Sequence, residues 1–396
     1  MAESDESVDE QGWSGLLAAV DPRKIKLNVL LIAVPIAAWA AYISGDMVVA
    51  FVASMIAIMP LAFLMGRATE EISLRTGQAT GGLLNATFGN AAELIIAGVA
   101  IFAAASALKL GTAAGDETAN TMVHVVQASL IGSIIGNLLL VLGLAFVWGG
   151  LKHKVQEFSR GQVGANGSLL LLAVITLIVP TAVKSSLSNS EVPAEEIEEI
   201  VSKLSHAAAF VLLLLYGLFL MFQLRTHTEL FATDGTHTVE EKPEMSMREA
   251  IVLLLVATVM VAWMAELLVR SIEVGAEGLG LGHLFIGVIL LPLFGNAAEH
   301  FSAVTVAGKN KMDLSFAIAV GSSTQIAVFV APLMVVLAWG LGVPLTFEFG
   351  ILETVAVFLA VLITNAIAAD GKSNWLEGAM LLGTYVILAL AFFFYP

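Results

Sequence analysis

The chain has 396 residues, of which 58% are hydrophobic and 13% charged; soluble domains carry about 25% charged residues. Its mean hydropathy of +0.90 leaves too little polar surface to coat a soluble body, so a string of soluble domains is excluded. The absence of cysteine excludes disulfides and thiolate metal sites. A net charge of −15 without a basic patch offers nothing to the phosphates of nucleic acid.

The elements follow in chain order. Residues 1–25 read as an acidic tail, and its first ten, MAESDESVDE, are expected to be disordered. A secretory signal would place positive charge before its apolar run, so the tail is expected to be retained. A membrane span needs about 20 apolar residues, and eleven stretches qualify: 26–44, 46–68, 80–108, 120–149, 166–186, 203–224, 249–271, 283–307, 313–341, 345–366 and 374–395. The expected fold is an all-α integral membrane protein of eleven transmembrane helices. Connections are short except 187–202, with the acidic run EVPAEEIEEI, and 225–247, which is polar and charged. The glycine-rich GAEGLGLG at 275–282 has no preceding strand and reads as a loop. With eleven spans, 14 of the 18 Lys and Arg residues fall on the side of the N-terminus. Cytoplasmic loops are the Lys/Arg-rich ones, so the N-terminus is expected in the cytoplasm and the C-terminus opposite.

One pentapeptide occurs twice. Gly89-Asn90-Ala91-Ala92-Glu93 recurs 206 residues later as Gly295-Asn296-Ala297-Ala298-Glu299. The next stretch carries Gly132-Ser133 in one half and Gly321-Ser322 in the other. The pattern divides the chain into an extra helix (26–45), a first five-helix repeat (46–224), a cytoplasmic loop (225–247) and a second repeat (248–396). Five is odd, so the second repeat is expected to be inverted. The two glutamates then approach the bilayer middle from opposite faces, which is the plan of secondary transporters with their ion site at the repeat interface.

A carboxylate near the middle of a span costs about 2.5–3.5 kcal/mol on the insertion scale, so Glu93 and Glu299 need a reason to be there. No Lys or Arg lies near them within their stretches, which weighs against a merely structural ion pair. Two glutamates carry the charge to neutralise one divalent cation, and calcium takes 6–8 oxygens from carboxylates, amides, carbonyls and water. Asn90 and Asn296 stand three residues before their glutamates, and Gly89 and Gly295, with Pro292, are expected to break the helix and free carbonyl oxygens. These six residues, Glu93, Glu299, Asn90, Asn296, Gly89 and Gly295, form the expected metal site. Ser129, Ser133 and Asn137, at i, i+4 and i+8, with Gln127, Ser322 and Gln325, are candidates for the ion path, although small polar residues also glue membrane helices together. Glu70 and Glu266 near span ends are candidates for a proton relay, and His300 for a pH-responsive neighbour. Two close carboxylates in a low dielectric cannot both ionise cheaply. Protons or a divalent cation can neutralise them, and that competition is the germ of antiport.

The two GNAAE segments, with their contexts GQATGGLLNATFGNAAELI and QASLIGSIIGNLLLVLG, resemble the calcium/proton exchanger family of the calcium/cation antiporter superfamily across 26–396. The resemblance implies an eleven-span fold of one extra helix and two inverted repeats. It implies that Glu93 and Glu299 carry calcium and protons as transported ions, with no cofactor, and that Glu70 and Glu266 match the family's glutamates before each motif. It also implies an acidic stretch between the halves, which Glu240, Glu241 and Glu244 supply in short form. The nearest alternative is a sodium/calcium exchanger of the same superfamily, which tends to carry more hydroxyls where this chain has Ala91-Ala92 and Ala297-Ala298. A passive cation channel would more usually ring its pore with identical subunits. No HExxH, P-loop or nucleophile elbow supports an enzyme.

Overall fold

The computed structural model describes residues 13–76, 84, 87–228 and 243–395. The expected disorder of the first ten residues, Glu240 and Glu241, and most of the 225–247 loop lie outside the described residues. The elements are helix α1 (Ser14–Val20), α2 (Lys26–Ser44), α3 (Met47–Thr76), α4 (Ala91–Leu108), α5 (Ala113–His153), α6 (Arg160–Leu187), α7 (Ala194–Thr226), α8 (Met247–Leu279), α9 (His283–Gly295), α10 (Ala297–Ala307), α11 (Met312–Leu341), α12 (Ile351–Ala368) and α13 (Trp375–Phe394). Among the described residues, ten of these are long and apolar enough to cross a membrane. The bent pair α9–α10 makes an eleventh if it is one span. The strands are two residues each, β1 (Gln156–Glu157) paired antiparallel with β2 (Lys372–Ser373).

Helix ends follow local chemistry. The Thr112 side chain accepts the Gly115 N–H at the start of α5, and Ser246 and Glu249 form a reciprocal capping box at the start of α8. Asn374 and Glu377 do the same for α13. Gly280 (φ 65°) closes α8 in the left-handed region, where glycine carries no Cβ penalty.

Two expectations change. The 187–202 connection is mostly helix, because α7 begins at Ala194. Pro193 precedes its first turn, Glu195 and Glu196 lie in that turn, where carboxylates favour the helix dipole, and Glu199 pairs with Lys203 at 2.6 Å. The run at 275–282 is a loop only from Gly280; Gly275 and Gly278 belong to α8. They are small because α3 lies against them. A Cβ on Gly275 would stand 2.5 Å from Phe51 Cγ, and one on Gly278 would meet Val48.

The chain forms two compact units. The described residues of the first come from Met1–Ile96, Asp234–Gly280 and Phe294–Ala298, and the α3–α8 pair is its frame. The second takes Ala97–Thr233, Leu281–Leu293 and Glu299–Pro396. Its core helix is α5, buried over most of its length, with Phe146, Ile131, Ile134, Ile135 and Leu138 fully enclosed.

Within the second unit, a proline and a glycine act together. Pro292 has no N–H to give to the carbonyl of Val288 four residues back, and a π-helical turn occupies Ile286–Leu290. A Cβ on Gly132 of α5 would overlap the Val288 carbonyl and its Cα. The close approach of these two backbones therefore requires glycine, as small residues generally do in membrane helix contacts. Gly132→Ala is expected to cost about 1–3 kcal/mol through overpacking and to lower the thermal midpoint in detergent. Gly217→Ala, where nothing stands within 4 Å, is expected to leave it unchanged or slightly raised.

Candidate functional site

Each half of the chain interrupts a helix at its asparagine. In the first, Gly89 and Asn90 form a turn and α4 starts at Ala91. The Leu94 N–H donates to the Asn90 carbonyl at 3.1 Å, so the backbone of Asn90 takes the first helical bond. In the second, α9 ends at Gly295, α10 starts at Ala297, and the two axes bend by 60° about Asn296. Both glutamates therefore lie in the first turn of a helix that starts inside the apolar body. Asn90, Glu93 and Asn296 are buried, at 0%, 7% and 2% exposure; Gly89, Glu299 and His300 are half-buried. Each half has its break, which lies just before the glutamate.

Within the first unit, a Cβ on Gly295 would stand 3.8 Å from Cδ1 of Ile96, three residues beyond Glu93. Asn296 is the most exacting residue there. Both Nδ2 and Oδ1 of its amide are buried without a hydrogen-bond partner among the described residues. Such atoms are rare in folded proteins and call for an ion, a water or a ligand.

In the second unit, three of the expected residues join in a chain. Asn137 Nδ2 donates to Ser322 Oγ at 3.0 Å, and the Ser322 hydroxyl is hydrogen-bonded to the Glu299 carboxyl. Glu299 Oε2, Asn137 Oδ1, Ser133 Oγ and His300 Nε2 are buried without partners among the described residues. Asn137 falls in a π-helical turn, Gly136–Val141, and a second π-turn, Ile326–Val330, follows Ser322 in α11. Single π-turns inside α-helices recur at functional sites. Each half thus repeats one order: a broken helix with Asn at the break, a glutamate in the next turn, then a helix whose Gly-Ser pair precedes a π-turn.

The other expected residues are placed differently. Gln127 Nε2 donates to the carbonyls of Thr346 and Glu348, both at 2.9 Å, which anchors the approach to α12. Ser129 and Gln325 are half-buried, and Glu70 is exposed. Glu266 is exposed and faces Arg270 one turn on at 3.7 Å. Glu71, beside Glu70, is buried and accepts the N–H groups of Glu244 and Met245 at 3.0–3.2 Å. Sequence reasoning missed the Asn137–Ser322–Glu299 chain, because the spacing of residues on α5 carries no information about which helix faces it.

No group of three or more His, Cys, Asp and Glu side chains could hold a metal among the described residues. The donors on offer are hard oxygens: carboxylates, amides and hydroxyls.

These features define a multi-spanning helical membrane protein with a carboxylate at a buried helix break in each half. The family described as "Sodium/calcium exchanger protein" matches residues 47–225 and 249–394, and the chain belongs to that family. It is 47% identical over 380 residues to the "Ca(2+)/H(+) antiporter" of Aphanothece halophytica, covering 93% of this chain and 96% of that one. It is 45% identical to the "Ca(2+)/H(+) antiporter" of Synechocystis sp., covering 93% and 97%. Among solved structures, native YfkE is similar, with a TM-score of 0.75 at 38% identity, covering 93% of this chain and 100% of that one.

Ser322 and Ser323 separate a hydroxyl that bridges two polar side chains from one that bonds only to backbone carbonyls. Ser323 Oγ donates chiefly to the carbonyl of Ala319 in its own helix at 3.0 Å, with a long second contact to the Ile134 carbonyl at 3.5 Å; neither acceptor is a side chain. Ser322→Ala strands the buried Asn137 amide and is expected to destabilise the protein by about 1–3 kcal/mol. Ser323→Ala is expected to cost less than half as much; thermal melts of the two variants in detergent check the contrast.

Proposed function

We propose that the protein exchanges calcium for protons across a membrane by alternating access, with Glu93 and Glu299 binding either ion. The observation that carries this reading is the buried glutamate in the first turn of an interrupted helix, repeated in both halves. The relatives support the choice of ions, since those at 47% and 45% identity are both named as calcium/proton antiporters.

Chemistry leads to the same exchange. Two carboxylates balance one divalent charge, and calcium completes its shell with neutral oxygens. The neutral donors we assign are the Asn296 and Asn90 amides and carbonyls freed at Gly89 and Gly295, with Ser133 and Ser322 on the ion path. When calcium leaves, protons take its place as the neutralising charge. If the carrier reorients only when neutralised, inward and outward fluxes are coupled. Two inverted five-helix repeats would present the site to each side in turn. The N-terminus would face the cytoplasm and the C-terminus the opposite side, with lipid around the body.

The test is calcium uptake into proteoliposomes under an imposed pH gradient, with and without sodium. Uptake driven by protons and indifferent to sodium is expected; uptake driven by a sodium gradient alone would make the protein a sodium/calcium exchanger instead. Uptake that dissipates freely with no counter-ion would make it a channel. Glu93→Gln and Glu299→Gln are each expected to bring exchange to background. Asn296→Ala, which removes one neutral oxygen, is expected to raise the calcium KM about tenfold, the equivalent of about 1.4 kcal/mol. Glu71→Gln, whose carboxyl serves backbone N–H groups, is expected to retain exchange.

A further inference from the structure

The N-terminal helix α1 lies in the first unit and outside both repeats, and its placement has a consequence independent of the transported ion. Three contacts and one buried residue fix it. The Leu16 N–H donates to Glu249 Oε1 at 2.9 Å. A Cβ on Gly15 would stand 2.7 Å from the Glu244 carbonyl. Ala19 is 1% exposed, and its carbonyl accepts from Asn28 Nδ2 at 2.7 Å.

Asn28 belongs to the first turn of α2, and α2 is a candidate membrane span whose surface exposes Val29, Ile32, Ile36 and Trp39. The bond between Asn28 and Ala19 therefore holds the end of α1 at the level where the chain enters the bilayer. One face of α1 is exposed and apolar. Trp13 and Leu17 are 55% and 63% exposed, and the Leu17 N–H donates to the Trp13 carbonyl, so the two side chains stand one turn apart on one face. Tryptophan with an aliphatic neighbour at such a level suits the headgroup boundary.

Beside this face opens a cleft of about 740 Å³ lined by Ser14, Lys24, Ile25, Phe63, Arg67 and Glu244, within the ~300–1,000 Å³ range of small-ligand sites. Ile25 and Phe63 supply apolar wall. Lys24 makes no ion pair among the described residues and is exposed. Arg67 gives one guanidinium nitrogen to Glu244 at 2.7 Å, which leaves further N–H donors on its fork. Arg23 and Lys26, the chain neighbours of Lys24 and Ile25, are exposed.

We infer that α1 is an interfacial anchor that seats an anionic phospholipid, with Trp13 and Leu17 in the headgroup–acyl boundary and the lipid phosphate held by Lys24 and Arg67. The apolar pair faces the acyl side of the boundary, and the cations face the phosphate. Basic pockets between membrane helices bind anionic headgroups through the same combination.

The experiment is native mass spectrometry of the full-length protein in detergent, titrated separately with phosphatidylglycerol, phosphatidylcholine and inorganic phosphate. The wild type is expected to retain phosphatidylglycerol in preference to phosphatidylcholine and to show no adduct with inorganic phosphate. Lys24→Gln is expected to weaken the phosphatidylglycerol adduct about fivefold, the weight of one basic residue at a membrane surface, while Lys24→Arg retains it. Equal retention by Lys24→Gln, or an adduct with inorganic phosphate alone, would overturn the proposal. A second measurement does not depend on lysine variants. In phosphatidylglycerol vesicles containing lipid brominated high on the acyl chain, Trp13→Phe is expected to lose a quenchable component of the wild-type fluorescence. No difference between the two would place Trp13 away from lipid, and a concentration-dependent dimer in detergent lost in Trp13→Phe would show the face to be covered by a second copy; either result refutes the anchor.

Discussion

A helix interrupted inside hydrocarbon is the constraint on which the rest of this structure depends. Backbone N–H and C=O groups freed in a bilayer have no water to turn to, and each costs several kcal/mol if left alone. Such a break persists only where protein or a cation supplies the missing partners. Here the breaks fall at Asn90 and Asn296, residues whose amides can both donate and accept. The glutamates follow within one turn, where the open N-terminal end of a helix favours a negative group. Polarity at this depth then recruits more polarity, as Asn137 and Ser322 on neighbouring helices close onto Glu299.

Backbone proximity is the second requirement, and small residues meet it. Pro292 releases the Val288 carbonyl, and Gly132 lets α5 pack directly over it. Gly287 answers from the other helix, where a Cβ would stand 2.5 Å from that of Ala128. Gly143 and Gly378 do the same between α5 and α13, with a Cβ on Gly378 standing 2.6 Å from the Gly143 carbonyl. In the first unit Gly275 and Gly278 serve the α3–α8 pair. In a medium as apolar as the side chains, such contacts replace the hydrophobic effect as the source of helix association.

The sequence made the spans and the breaks legible because both are local. Twenty apolar residues signal a span wherever they sit, and Gly-Asn before a glutamate marks an interruption without knowledge of the fold. Helix ends were less visible. The start of α7 carried a readable signal, Pro193 followed by Glu195 and Glu196, but it lay beyond the apolar run by which the span was recognised. The glycines at 275 and 278 read as a loop because glycine is disfavoured in isolated helices; tertiary contact with Phe51 and Val48 reverses that preference. Gln127 had the right polarity and helix for the ion path, yet its amide serves the carbonyls of Thr346 and Glu348, residues more than two hundred positions away. Which polar side chain faces which helix is tertiary information, and no spacing rule encodes it.

The partners of the buried carboxylates sort them by what they can do. Glu71 accepts from the N–H groups of Glu244 and Met245, Glu249 from those of Leu16 and Ser246, Glu353 from that of Gly350, and the half-buried Glu377 from that of Asn374. A backbone N–H can only donate, so it holds a carboxylate in one role and one place. Glu299 is bonded instead to the Ser322 hydroxyl. A hydroxyl donates to a carboxylate and, after a turn of its proton, accepts from a carboxylic acid. Asn137 keeps Ser322 in position through either state, since its N–H donates to the oxygen and leaves the hydroxyl proton free to point elsewhere. A carboxyl group that must hold a metal ion in one half of a cycle and a proton in the other needs a partner that is indifferent to which it carries. Of these five glutamates, Glu299 has such a partner. The four capped glutamates are tied to backbone N–H groups that fix helix ends and loops, whereas the partner of Glu299 suits the carboxylate and the acid alike.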